Sequence, residues 1–228
     1  TVTQITTITQ PENTKTVGQT VTVTAITTTN EPTKTSSPPP TSETSTLSTP
    51  LQTTTTDSNN IDFTDSTGDT FDDTGNPIQV EPYFDIISAE VNLIDTNYLF
   101  QMKMNGDVPQ TLTNPNAAAE WDFFIDADQT STTGSANPLF VNDIGAEYLI
   151  RLLIHGIQIR TELINLNTLE SSSIAYTVDG DTISLSFNWT LMQELQNFDC
   201  VALARSWFNN NLIAADKAPN EGHYSFSG

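Results

Sequence analysis

The chain has one cysteine, two histidines and only seven basic residues among 228, and each shortage removes a class of function. A lone Cys200 excludes an internal disulfide framework and any CxxC metal or redox pair. It lies in the apolar run Cys200-Val201-Ala202-Leu203-Ala204, where a buried, inert thiol is expected rather than a nucleophile. With neither thiolates nor paired histidines to hand, zinc is not indicated. His155 and His223 have no Ser or Cys nucleophile context and read as turn and surface residues. No nucleophile, base or cofactor motif points to an enzyme.

The shortage of Lys and Arg against 28 acids leaves a formal charge of −21. That makes nucleic-acid phosphates and anionic membrane surfaces unfavourable partners and cations the expected small ones. No stretch approaches the roughly 20 apolar residues a membrane-spanning helix requires. The chain begins at Thr1 rather than Met, as expected of a mature form whose signal peptide has been removed.

What is present is unevenly distributed. Residues 1–56 contain 23 Thr, 5 Ser and 6 Pro but only three acids and two lysines, so a net charge of −20 falls on residues 57–228. The first segment is too poor in apolar residues to bury a core of its own. Its Ser/Thr/Pro bias matches an O-glycosylated stalk. Residues 17–26 depart from that composition: Val17, Gln19, Val21, Val23 and Ala25 alternate with mostly Thr, a two-residue period rich in β-branched side chains. A lone strand of this kind needs a partner sheet for its backbone and its apolar face, so Val17, Val21, Val23 and Ala25 are candidates for a donor strand.

From residue 57 onward, short alternating segments are separated by Asn, Asp, Gly and Pro, which predicts an all-β fold, a two-sheet antiparallel β-sandwich. Strands are expected over 84–93, 98–105, 120–125, 147–154, 157–165, 172–178, 182–188 and 201–209. His155-Gly156 and Asp179-Gly180 mark hairpin turns. One short helix is expected over 190–198, where Thr190 and Gln193 have capping-box spacing and Leu191, Leu195 and Phe198 share a face.

The strongest chemical signal is Phe123-Phe124-Ile125-Asp126-Ala127-Asp128, an apolar strand entering a turn that continues to Thr133-Gly134. Carboxylates two residues apart in a tight loop suit Ca²⁺, which takes six to eight oxygens. The same residues could instead make ordinary side-chain-to-backbone turn bonds. A second acidic cluster, Asp62, Asp65, Asp69, Asp72 and Asp73, precedes the first expected strand, and Asp85, Asp143 and Glu147 lie at other strand ends. The aromatics Trp121, Trp189, Trp207, Tyr83, Tyr98 and Tyr148 could form a sugar-stacking platform, although Trp121 and Trp207 fall on expected core faces. Asn188-Trp189-Thr190 is an N-glycosylation sequon.

Taken in order, Asp65-Ser66-Thr67-Gly68-Asp69, Phe84-Asp85-Ile86, Phe123 to Asp128, Asp143-Ile144-Gly145-Ala146-Glu147-Tyr148 and Asp216-Lys217-Ala218-Pro219-Asn220-Glu221-Gly222 resemble the β-sandwich domains related to family 9 carbohydrate-binding modules and DOMON domains. The resemblance covers about residues 61–228. It implies a jelly-roll-like domain of secreted bacterial and archaeal proteins, often with bound calcium, carried here onto Asp126 and Asp128 and further onto Asp65, Asp69 and Asp143. No pair of sugar-clamping tryptophans is matched, and the Thr-rich segment has no counterpart in the family.

The expectation for function is a non-enzymatic extracellular protein of the cell surface. Copies of the chain would assemble into a filament or layer as the 17–26 strand of one adds to the sheet of the next. Such head-to-tail contact propagates as an open fibre. The alternative is a glycan-binding or accessory module on a glycosylated stalk.

Overall fold

A computed structural model describes residues 60–137 and 141–228; the expected donor-strand residues Val17, Val21, Val23 and Ala25 lie outside them. Among the described residues the strands run, in chain order, β1 (Asn60–Thr64), β2 (Ile86–Ile94), β3 (Asn97–Met104), β4 (Ala117–Asp126), β5 (Ser135–Asn137), β6 (Val141–Ala146) and β7 (Tyr148–His155). There follow β8 (Gln158–Asn165), β9 (Ser171–Ser173), β10 (Ala175–Asp179), β11 (Thr182–Asn188), β12 (Asn197–Phe208), β13 (Asn211–Ala218) and β14 (Tyr224–Ser227).

Two antiparallel sheets make the sandwich. One has the order β1-β2-β3-β11-β10, the other β13-β12-β4-β7-β8-β9, with β14 also on β12. Alternation aims Phe100, Met102 and Met104 of β3 and Trp121, Phe123 and Ile125 of β4 into one core, as the period of two requires. Each large apolar side chain so buried contributes about 1.5–3 kcal/mol. Aromatic contacts tie the sheets together: the Phe100 and Phe123 rings are 5.1 Å apart, and Tyr98 meets Phe198 edge-on at 5.7 Å.

A second, smaller cluster covers the outer face of the larger sheet. Phe124, Leu149, Val201 and Leu203 pack there against Ile144 and Ala146 of β6, which pairs with β5. β4 is therefore covered on both faces, and its sequence reads as a nearly continuous apolar run instead of a clean alternation.

The expected hairpins at Gly156 and Gly180 are present, both glycines in the left-handed region with φ +59° and +58°. Each joins strands through a two-residue turn, with His155 opposite Gln158 and Asp179 opposite Thr182.

Two elements differ from expectation. The predicted helix over 190–198 is only a 3-10 turn, Trp189–Met192. Asn188 caps it through its side chain in place of Thr190; Gln193 and Glu194 then take positive φ and end it. Phe198 joins β12 because its ring is worth more in the aromatic core than on a helix face. The segment expected as one strand over 172–178 is two, β9 in one sheet and β10 in the other, with buried Ile174 at the crossing.

Candidate metal centre

Two segments far apart in the sequence bring carboxylates together at one end of the sandwich. Asp65 follows β1, Asp69 follows the turn at Gly68, and Asp216 is on β13; each offers a carboxylate oxygen within 4.8 Å of the others. Asp85 braces the loop: its Oδ1 and Oδ2 accept from the Gly68 N–H at 3.0 and 2.9 Å, and Oδ2 also accepts from Asn105 Nδ2 at 2.9 Å. Gly68 holds φ +79°, a conformation open to glycine, so the backbone can turn its N–H onto Asp85.

Asp216 is fully buried, with Oδ2 accepting from the Ile86 N–H at 2.6 Å and Oδ1 from the Lys217 N–H at 2.9 Å. Asn220 Nδ2 bridges the other two acids, 2.6 Å from Asp69 Oδ2 and 3.3 Å from Asp65 Oδ1. Asp65 Oδ2 and Asp69 Oδ1 are buried atoms that receive no hydrogen bond from the described residues. Buried, unsatisfied carboxylate oxygens are costly.

The electrostatics follow from this crowding. Burial, with Asp69 and Asp85 adding repulsion, raises Asp65 to about 7, against the pull of the Ser66 backbone and Lys217. Burial likewise raises Asp216 to about 8, opposed by the Ile86 N–H and reinforced by Asp65, Asp69 and Asp85. Burial and the crowding of like charges favour the protonated form of both groups, and the one nearby cation, Lys217, offsets this only in part. An oxygen-only donor set containing two orphaned oxygens fits a hard divalent cation such as Ca²⁺, with backbone carbonyls and water completing its shell.

The Asp126 loop is organised differently. Asp126, Asp128 and Glu147 also bring oxygens within 4.8 Å of one another, but these carboxylates are engaged by the protein. Asp126 accepts from the N–H groups of Thr130 and Gly145 at 3.1 and 3.0 Å. Asp128 accepts from the Thr130 N–H and from Thr133 Oγ1, each at 3.0 Å. Glu147 Oε2 accepts from the Ala127 N–H at 2.8 Å, and burial, with Asp128 and Asp126 alongside, raises its pKa. These are turn bonds of the kind Asp and Thr make in many loops, and the three carboxylates still stand within a cation's reach of one another.

Of the expected ligands, Asp65 and Asp69 meet in one cluster and Asp126 and Asp128 in another. Asp143 belongs to β6, and its side chain lies outside the described residues. Asp216 and Asn220, absent from the expected ligand set, complete the first cluster. Asn188 ends β11 exposed, its Oδ1 accepting from the Thr190 N–H at 3.1 Å and its Nδ2 donating to Thr96 Oγ1 at 3.3 Å. Cys200 is fully buried, and burial pushes its thiol up. His223 Nε2 stands 3.3 Å from Asp199 Oδ2.

A third polar feature crosses the outer face of the larger sheet. Asp122, wholly buried, meets Arg151 Nε at 3.0 Å and Arg205, and Glu120 meets Arg205 at 3.1 Å. Trp207 Nε1 donates to Glu120 at 2.8 Å. Beside them a cavity of about 310 Å³ is lined by Asn116, Glu120, His155, Trp207 and Asn210 among others.

Comparison with protein-family models, curated proteins and solved structures finds no match to this chain. Among the described residues no helix is long and apolar enough to cross a membrane.

Proposed function

We propose that this chain is a non-enzymatic extracellular surface protein, a subunit of a filament or layer in which the 17–26 strand of one copy joins the sandwich of the next and Ca²⁺ stabilises the sandwich. The calcium rests on one observation: two buried carboxylate oxygens, Asp65 Oδ2 and Asp69 Oδ1, have no donor among the described residues and stand beside a third, buried carboxylate on Asp216. A cation there would replace the protons that Asp65 and Asp216 otherwise carry. The assembly rests on the division of the chain. Residues 60–228 bury a core of their own, while the uncharged alternation of residues 17–26 has no core to join except a sheet.

An ion bound only by the native state raises the melting temperature by mass action. Ca²⁺ should raise it in the wild type, and Asp65→Asn with Asp69→Asn should abolish that rise, whereas Asp126→Asn with Asp128→Asn should keep it. A melting curve indifferent to Ca²⁺ and chelator in the wild type removes the ion. For assembly, Val21→Asp should leave folded monomers under the electron microscope; filaments of that variant would end the strand-donation reading.

The second reading is a glycan-binding module, favoured by the cavity in which the edge of Trp207 is held by Glu120 with Asn116 and Asn210 nearby. An indole face rimmed by amide and carboxylate groups suits a sugar. Loss of glycan-array binding on Trp207→Ala, with filaments unaffected, would favour it.

A further inference from the structure

Where the chain leaves β9 for β10 it passes from one sheet to the other and, among the described residues, leaves two edges bare. β9 covers β8 only at Glu162, Leu163 and Ile164, so among the described residues Gln158, Ile159 and Arg160 have no strand on that side. Among the described residues β10 pairs with β11 alone. Between these edges lies a cleft of about 290 Å³, lined by Gln110, Ile154, Ile159, Tyr176, Thr177 and Val178.

The cleft opens into the sandwich interior. Tyr176 stands opposite Leu185 and Val178 opposite Ile183, both partners buried, so both side chains point to the inner face. Tyr176 is nevertheless 40% exposed. An inward-facing aromatic on an edge strand, left half-uncovered over an apolar floor of Ile154 and Ile159, is what a sandwich short of one strand presents.

Resting on the strand-donation reading, we infer that this cleft is the acceptor and that its occupant is the 17–26 segment of a second copy, laid along the free edge of β10. Backbone groups would extend the five-stranded sheet while Val21, Val23 and Ala25 fill the space beside Tyr176 and Val178. The segment has the period of two that such a site reads, and it is long enough to span all five residues of β10. It carries no charge, so it meets no repulsion from a domain of net charge −20.

The second copy is favoured over the chain's own head by the intervening sequence. Residues 27–59 contain five prolines, including Pro38-Pro39-Pro40, and a proline triplet is a composition suited to a stiff spacer more than to a tight return. The chain enters the sandwich at β1, the opposite edge of the sheet from β10.

The test uses two full-length variants, each crippled on one side. Tyr176→Glu places a charge in the cleft and keeps the donor; Val21→Asp spoils the donor and keeps the cleft. Each alone should sediment as a folded monomer, and an equimolar mixture should give a dimer that grows no further. A mixture that remains monomeric overturns the assignment. Polymerisation of Tyr176→Glu at the wild-type rate, with Val21→Asp monomeric, overturns the cleft while leaving strand donation in place. Polymerisation of Val21→Asp overturns both. Should Tyr176→Glu fail to fold, Ile159→Lys on the opposite wall carries the same expectation, and its filaments would count equally against the cleft.

Discussion

The Ile86 N–H donates to Asp216 Oδ2 at 2.6 Å, joining the first residue of β2 in one sheet to edge strand β13 of the other. That single bond fixes one oxygen of a fully buried carboxylate and holds it facing Asp65 and Asp69. The acidic cluster is thus built into the closure of the sandwich at this end.

Its protonation makes stability depend on pH in a stated direction. Asp65 and Asp216 have folded-state values of about 7 and about 8 against an ordinary 3.8. A carboxyl raised on folding stabilises the protein fully below its unfolded value, and the contribution is lost as pH rises through the folded value. In chelator, the melting temperature should therefore fall from pH 4 toward pH 8 by more in the wild type than in Asp65→Asn. With millimolar Ca²⁺ the fall should shrink, because the ion takes the deprotonated carboxylates. Scanning calorimetry across that range, with and without the ion, checks both statements.

Gly145 is a point of close approach. A Cβ there would lie 1.9 Å from the Thr133 carbonyl oxygen and 2.8 Å from that of Thr130, both backbone atoms of the Asp126 loop. Gly145→Ala must push that loop off β6 and should cost about 1–3 kcal/mol, the range for overpacking. Urea unfolding measures the loss, and an unchanged midpoint would show that the loop moves freely.

Asp122 is wholly buried between Arg151 and Arg205. Its removal by Asp122→Ala leaves two guanidinium groups with Glu120 and, across from Arg151, Glu162, and breaking a buried ion network by taking out one partner costs about 3–5 kcal/mol. Denaturant melts should register that loss at low and at high salt alike, since a buried pair is little screened. A cost below about 1 kcal/mol, typical of surface pairs, would place the network effectively in solvent.

Several elements were legible in the sequence for simple reasons. β3 and β11 alternate because one face of each meets a single core, and Gly156 and Gly180 mark hairpin turns by the left-handed backbone those turns require. β13 escaped because Asn211-Leu212-Ile213-Ala214-Ala215-Asp216-Lys217-Ala218 is buried through its second half on both faces, which erases the alternation. Its turn signal was present in Asn209-Asn210, both at positive φ, a pair suited to the tight hairpin before it. The helix expected at 190–198 had the right spacing, but periodicity cannot weigh a helix face against a place for Phe198 in an aromatic core.

Composition alone settled the division between a Thr-rich, nearly uncharged leading segment and an acidic remainder, along with the all-β character of that remainder. These are local properties, carried by residue type and by a period of two. The gathering of Asp65, Asp69 and Asp216, the turn bonding of Asp126 and Asp128, and the edge that β10 leaves open among the described residues were decided only by the tertiary structure. Each depends on which strands become neighbours, and that is chosen by the burial of the whole core rather than by any stretch of chain that takes part in it.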